Sequence, residues 1–148
     1  MDPLHSFAIS AAGMAAERTR VEVAALNLAN AHTAFAGETG FRPLRAVLSA
    51  VGPGVSAWQP STPFARLVGQ ALQGPSVRIE PADLAPRLVR EPGHPLADAN
   101  GMVRYPAVDT ATEMVTLMSA TRAYEANVAA LVAARTVALK TLEIGGGS

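Results

Sequence analysis

Glu91, His94 and Asp98 stand close together in the stretch REPGHPLADANGMVRYP, and their types could do chemistry. Two carboxylates and an imidazole can ligate a metal, or divide the roles of general acid and base. Their setting favours another use. Pro92-Gly93 and Asn100-Gly101 are turn dipeptides, and Asp and His in such turns bond to the local backbone. This is the one titratable cluster in the sequence. There is no G-x-S-x-G, no P-loop, no H-E-x-x-H and no G-x-G-x-x-G after a strand. There is no cysteine, hence no disulfide framework, no thiolate nucleophile and no cysteine-ligated zinc. The reading is a protein that is not an enzyme and takes no cofactor or metal. The rival reading, an enzyme built on Glu91, His94 and Asp98, would require a tight metal or substrate site that depends on His94. His5 and His32 flank the first helix and read as terminal histidines. Tyr124 reads as a packing residue, and Trp58 as a local hydrophobic cap on a loop.

The bulk properties narrow the class. Net charge is zero, Lys140 is the single lysine, and no block of like charge occurs. Nucleic acid, which is bound through clustered Lys and Arg, is not an expected partner. Asp2 stands where a secretory signal needs a basic region, and no apolar core leads to a cleavage site. No window reads as a membrane span: the uncharged stretch 46–65 is full of Pro, Gly, Ser and Gln. Export, if it occurs, would use a route that reads an uncleaved N-terminus.

Proline divides the chain into three. Residues 4–30 are alanine-rich and lack proline; ten of the eleven prolines lie in 31–106; from 107 to 143 proline vanishes again. The expected fold is mainly α with a small β part. Long N- and C-terminal helices pair as a coiled coil around a Gly/Pro-rich β/loop middle. The expected domains are an N-terminal helix in 1–31, a central region in 32–106 and a C-terminal helix with a short tail in 107–148, the termini forming one helical domain. The first helix carries a heptad at Leu4, Phe7, Ala11, Met14, Arg18, Val21, Ala25 and Leu28. The last carries another at Met114, Leu117, Thr121, Tyr124, Val128, Leu131, Arg135, Ala138 and Leu142. Thr110 and Glu113 have capping-box spacing at its start. In the middle, 41–51 and 76–80 read as strands, Asn100-Gly101 as a two-residue hairpin turn, and 60–63 as a loop tip.

Both helices are apolar off these seams too, at Ile9, Val23 and Leu26 on the first and Val115, Met118, Val132 and Val137 on the second. A helix that covers one core shows one apolar stripe; a helix apolar all round is buried on several sides. Two helices cover only one face of each other, and the short middle cannot sheath them. The remaining faces call for other molecules. A compact alanine-rich bundle is the plainer alternative.

NLANAHT, residues 27–33, raises a separate question, because asparagine is a poor residue inside a helix. Asn30 suits the left-handed position at a helix stop. Asn27 lies one turn earlier and needs a partner, either in the chain after the turn or on a neighbour. VAALNLANAHT resembles the N-terminal signature of bacterial flagellar rod and hook proteins. EPGHPLADANGMVRYPAVD, EMVTLMSATRAYEANV and LKTLEIG resemble the proximal rod proteins of the FlgC type. The resemblance covers about residues 4–33 and 88–145; Leu26, Arg90 and Ala107 depart from the usual pattern.

That resemblance implies a structural subunit of the proximal rod of the flagellar basal body, in the periplasm. It implies export by the flagellar type III apparatus without a cleaved signal. The partners it implies are other copies of the chain, other rod proteins, and membrane-ring and rod-base adaptor proteins. The implied role is a tube that links motor to hook and transmits torque. On this reading the assembly residues are Leu4, Phe7, Met14, Val21, Asn27, Leu28 and Asn30 on the first helix. Those on the second are Met114, Leu117, Tyr124, Glu125, Asn127, Val128, Leu131 and Leu142, with the helix-end amides bonding across subunits. The alternative is a soluble helical adaptor or export chaperone that offers an apolar groove.

Overall fold

The computed structural model describes residues 3–37, 40–49 and 75–145. Trp58 and the loop tip at 60–63 lie outside the described residues, as do 146–148 of the Gly-Gly-Gly-Ser tail. The order is α1 (Pro3–Asn30), β1 (Leu44–Ser49), β2 (Ser76–Pro81), β3 (Arg87–Arg90), β4 (Met102–Tyr105) and α2 (Thr110–Gly145). The chain is mainly helical, with two small two-stranded sheets, β1–β2 and β3–β4. It divides into two compact units, each taking part of both helices. One comprises Met1–Thr19, Leu48–Arg78 and Ala120–Ser148; the other comprises Arg20–Val47 and Ile79–Ser119.

The helices form where alanine dominates and proline is missing, since alanine loses no side-chain freedom in a helix. α1 ends by tightening, with Ala31 N–H donating to Leu28 C=O at 3.2 Å and Thr33 N–H to Asn30 C=O at 3.0 Å. The left-handed stop expected at Asn30 does not occur. Among the described residues, positive φ is confined to Gly37 and Gly101. Asn30 instead turns its side-chain amide back onto Leu26 C=O at 2.9 Å, which keeps it in the last helical turn.

α2 starts one residue before the expected capping box. Asp109 is the cap: its carboxylate accepts from Ala111 N–H at 3.0 Å and from the Thr112 hydroxyl at 2.7 Å. Those bonds, the Thr112 hydroxyl first, hold the Asp109 carboxyl below its ordinary value. Glu113, the expected box partner of Thr110, sends its side chain elsewhere, as described below.

β3 and β4 pair antiparallel, with Arg87 opposite Tyr105, Leu88 opposite Arg104, Val89 opposite Val103 and Arg90 opposite Met102. Asn100-Gly101 does not close this hairpin by a two-residue turn. The connection is the longer loop 91–101, extended by Glu91 N–H donating to Gly101 C=O at 2.9 Å. A tight turn sits inside it. Gly101 N–H reaches Asp98 C=O at 2.9 Å, and Gly101 adopts φ 74°, a conformation glycine takes without strain. On the other edge of β4, Phe35 bridges antiparallel to Arg104. The start of β1 meets the end of β2, where Ala82 N–H donates to Pro43 C=O at 2.7 Å. Val23, Ala24, Ala31, Pro43, Val103 and Pro106 are the buried apolar residues of this second unit.

Candidate functional site

The cluster that could have done chemistry is occupied by turn bonds. Asp98 accepts from Asn100 N–H at 2.8 Å and Met102 N–H at 2.9 Å through one carboxylate oxygen. His94 Nδ1 accepts from Leu96 N–H at 3.1 Å. Glu91 accepts from the Tyr105 hydroxyl at 3.0 Å. Partial burial and then this carboxylate raise the Tyr105 pKa, while the Arg87 guanidinium, 5.7 Å from the ring centre, works the other way. The three residues shape the loop that separates β3 from β4.

The asparagine of NLANAHT is the organising polar residue of the second unit. Asn27 is wholly buried. Its Nδ2 donates to Leu44 C=O at 2.8 Å and to Glu113 Oε1 at 2.8 Å. Its Oδ1 accepts from Leu44 N–H at 2.8 Å. One amide thus bonds both backbone groups of the first residue of β1 and a carboxylate in the first turn of α2. Both Nδ2 hydrogens have acceptors, so Asn27 holds its own chain and not a neighbour's. Of the two partners left open by the sequence, the chain after the turn is the one found. Glu113 was missed in this role because its spacing from Thr110 read as a cap.

In the other unit, α1 and α2 meet at a glycine. A Cβ on Gly13 would lie 3.0 Å from Asn127 Oδ1, so the two helices approach closely there. Asn127 is itself held by a bond to Ala123 C=O at 3.0 Å. Gly13 was not singled out from sequence; an unexplained glycine inside an alanine-rich helix was the available signal.

Burial differs from the expected seams. On α1 the buried residues are Ala16, Glu17, Val23, Ala24 and Asn27; Phe7, Met14, Val21, Leu28 and Asn30 are half-buried, and Ala11, Arg18 and Ala25 are exposed. Leu4 lies in the first turn of α1. On α2 the least exposed face runs through Glu113, Leu117, Ala120, Ala123, Asn127 and Leu131. Met114, Tyr124, Glu125, Val128 and Leu142 are exposed. The covered face is therefore rotated from the predicted one. Small and polar residues such as Ala16, Ala24, Asn27 and Ala120 are the most enclosed, while Val23 is buried, Phe7, Met14, Val21, Leu28, Leu117 and Leu131 are half-buried, and Met114, Val128 and Leu142 are exposed.

The consequence is a large unpartnered apolar surface. α2 has 36 residues, of which only Ala120 is buried. Among the described residues, Val115, Val132 and Val137 are 66%, 56% and 64% exposed. No helix among the described residues is long and apolar enough to cross a membrane.

Residues 99–144, the end of the hairpin loop through most of α2, match the family described as flagellar basal body rod FlgEFG protein C-terminal. The class is therefore that of flagellar basal-body rod proteins. Over nearly its whole length the chain is similar to flagellar basal-body rod proteins FlgC. It is 42% identical to that of Salmonella typhimurium (strain LT2) over 143 residues, 96% of this chain and 97% of the relative. It is 40% identical to that of Yersinia enterocolitica over 146 residues, 98% of this chain and 99% of the relative. For Bacillus subtilis (strain 168) the identity is 35% over 153 residues, again 98% and 99%. The chain belongs to the FlgC family of flagellar basal-body rod proteins. It is a structural protein of the basal-body rod and not an enzyme.

Proposed function

We propose that this chain is a subunit of the proximal rod that assembles by helix packing into the tube linking motor to hook, and so transmits torque. The observation that carries the reading is α2, apolar on every side and burying only Ala120 within its own chain. A helix in that state gains stability only when other molecules cover it. Two contacts support an antiparallel coiled-coil pairing of the terminal helices. Asn27 meets Glu113, and Gly13 meets Asn127; these lie 14 residues back on α1 and 14 residues forward on α2, two heptads each. The terminal helices would form one helical domain, with residues 32–106 facing outward.

The partners of this reading are other copies of the chain, other rod proteins, and the membrane-ring and rod-base adaptor proteins. The place is the periplasmic rod, reached through the flagellar type III apparatus without a cleaved signal. Leu4, Phe7, Met14, Val21, Leu28 and Asn30 on α1 contribute to packing between subunits. So do Met114, Tyr124, Glu125, Val128 and Leu142 on α2. Asn27, Leu117, Asn127 and Leu131 hold the pairing of the two helices.

The test is a strain whose own copy of the gene is replaced by Val115→Glu with Val137→Glu. The expected result is normal synthesis and secretion, no incorporation into purified basal bodies and loss of swimming. Wild-type basal bodies without this protein, or normal swimming of the double variant, would overturn the reading.

A further inference from the structure

Asn100-Gly101 lies in the loop between β3 and β4, and its two residues carry groups that react with each other. Asn100 is exposed, so water reaches its side-chain amide. The residue after it has no side chain, so nothing on Gly101 shields its backbone nitrogen from the Asn100 Cγ. The reaction open to such a pair is deamidation. The Gly101 N–H gives its proton to hydroxide, and the nitrogen attacks Cγ. The side-chain nitrogen takes a proton from water and leaves as ammonia, closing a succinimide ring. Water then opens the ring at either carbonyl and leaves aspartate or isoaspartate at position 100. The net change is loss of ammonia and gain of water.

The other three asparagines are ill placed for it. Asn27, Asn30 and Asn127 lie in helices, and each is followed by a residue with a side chain: Leu28, Ala31 and Val128. Their amides are tied as well, Asn27 to Leu44 and Glu113, Asn30 to Leu26 C=O and Asn127 to Ala123 C=O.

At position 100 the fold supplies a restraint of another kind. Gly101 N–H donates to Asp98 C=O at 2.9 Å, so the attacking nitrogen must first give up a hydrogen bond. The Asp98 carboxylate accepts from Asn100 N–H at 2.8 Å and Met102 N–H at 2.9 Å, and Asp98 N–H donates to Met102 C=O at 2.9 Å. These bonds fix the backbone on both sides of Gly101. Negative charge on the Gly101 nitrogen would also form beside the Asp98 carbonyl oxygen and near its carboxylate, both of which oppose it.

We infer that Asn100 is the site of spontaneous deamidation in this chain, and that the turn built on Asp98 holds the reaction back until the loop opens. This does not depend on the rod reading. Its structural consequence is local. Isoaspartate routes the main chain through the former side chain and adds a carbon before Gly101. That displaces Gly101 and Met102 from Asp98, and with them the Glu91 N–H bond to Gly101 C=O that extends the β3–β4 ladder.

The test uses the full-length wild-type chain, kept folded or in urea in the same mildly alkaline buffer. Peptides are separated by chromatography and weighed, which resolves asparagine, aspartate and isoaspartate at position 100. In urea, position 100 should convert before any other asparagine, with isoaspartate among the products. In the folded chain the rate should be at least about tenfold lower, because ring closure waits for local opening. Asp98→Ala removes the carboxylate contacts; it should raise the folded-state rate and leave the rate in urea unchanged. No conversion at 100 in urea, or earlier conversion at another asparagine, overturns the site. Equal rates in the folded and unfolded chain overturn the restraint, as does an unchanged folded-state rate in Asp98→Ala. Should that variant fail to fold, the wild-type comparison decides by itself.

Discussion

Asn27 shows how one amide can join segments far apart in sequence. Its partners are 17 and 86 residues away, and the residue is completely enclosed. Removing it leaves Leu44 N–H and C=O and the Glu113 carboxylate without their partner, and such losses cost about 1–3 kcal/mol per stranded group. Asn27→Ala should therefore lower stability by about 2–4 kcal/mol, read as a shift in the urea midpoint. Asn27→Asp should be worse, because it places a second carboxylate against Glu113. An unchanged midpoint for both would refute the latch. Replacing Asn27 and Asn30 together by Ala should abolish incorporation into the rod, with Asn27 acting through the fold of the subunit. Gly40 is a second constrained residue. A Cβ there would run into the Phe35 ring, so Gly40→Ala must displace the segment that bridges to β4. A loss of about 1–3 kcal/mol is expected in the same denaturation experiment.

At the scale of elements, the helices are set by their ends and by what they touch. The Asp109 cap makes the start of α2 sensitive to acid. A carboxyl held below its ordinary 3.8 in the folded state stabilises that state when ionised. Its contribution is fully present above 3.8 and is lost as pH falls through the lower folded value. Wild-type helicity, followed by circular dichroism from about pH 5 to about pH 2.5, should fall more than that of Asp109→Asn, which caps without titrating. Parallel curves would remove Asp109 from the account. Gly13 marks where α1 and α2 come close. Gly13→Ala gains about 1 kcal/mol of helix propensity against a tight contact with Asn127, so the two effects nearly offset. Gly13→Leu has no such room and should separate the helices there, seen as lower helicity and a lower melting temperature. Equal melting of Gly13→Leu and wild type would show that the approach is not close.

At the scale of the molecule, the buried residues among those described concentrate where Asn27, Val103 and Pro106 lie, while most of the C-terminal half of α2 is exposed. Helices without packing partners are marginal in water, and opening is easiest where few apolar contacts hold the chain. Hydrogen exchange on a dilute monomer should show protection at the β3–β4 hairpin and around residues 27 and 44. Exchange should be fast over 4–15 and 121–145, and slow there once the chain is assembled. Strong protection of 121–145 in a demonstrated monomer would mean that α2 is stable alone, and the adaptor alternative would then stand ahead of assembly-driven ordering.

Much was legible in the sequence, for reasons that are local. Proline placement and alanine content defined both helices and the interrupted middle, because these residues act through their own backbone and side-chain freedom. All-round apolarity pointed to partners beyond the chain, because hydrophobic burial depends on composition before it depends on arrangement. The family showed in NLANAHT and EPGHPLADANG, which resemble its signatures. Other features were decided only by tertiary structure. Which residues face inward depends on how closely two helices approach, and the contact of Gly13 with Asn127 leaves no room for a larger residue at that point. Asp109 takes the cap and Glu113 turns to Asn27, because a buried amide bonds to its carboxylate. Asn27 bonds to Leu44 because the chain returns past the end of α1. Local preference names the elements; the partner of a buried polar group is chosen by whichever segments the fold brings within hydrogen-bond reach.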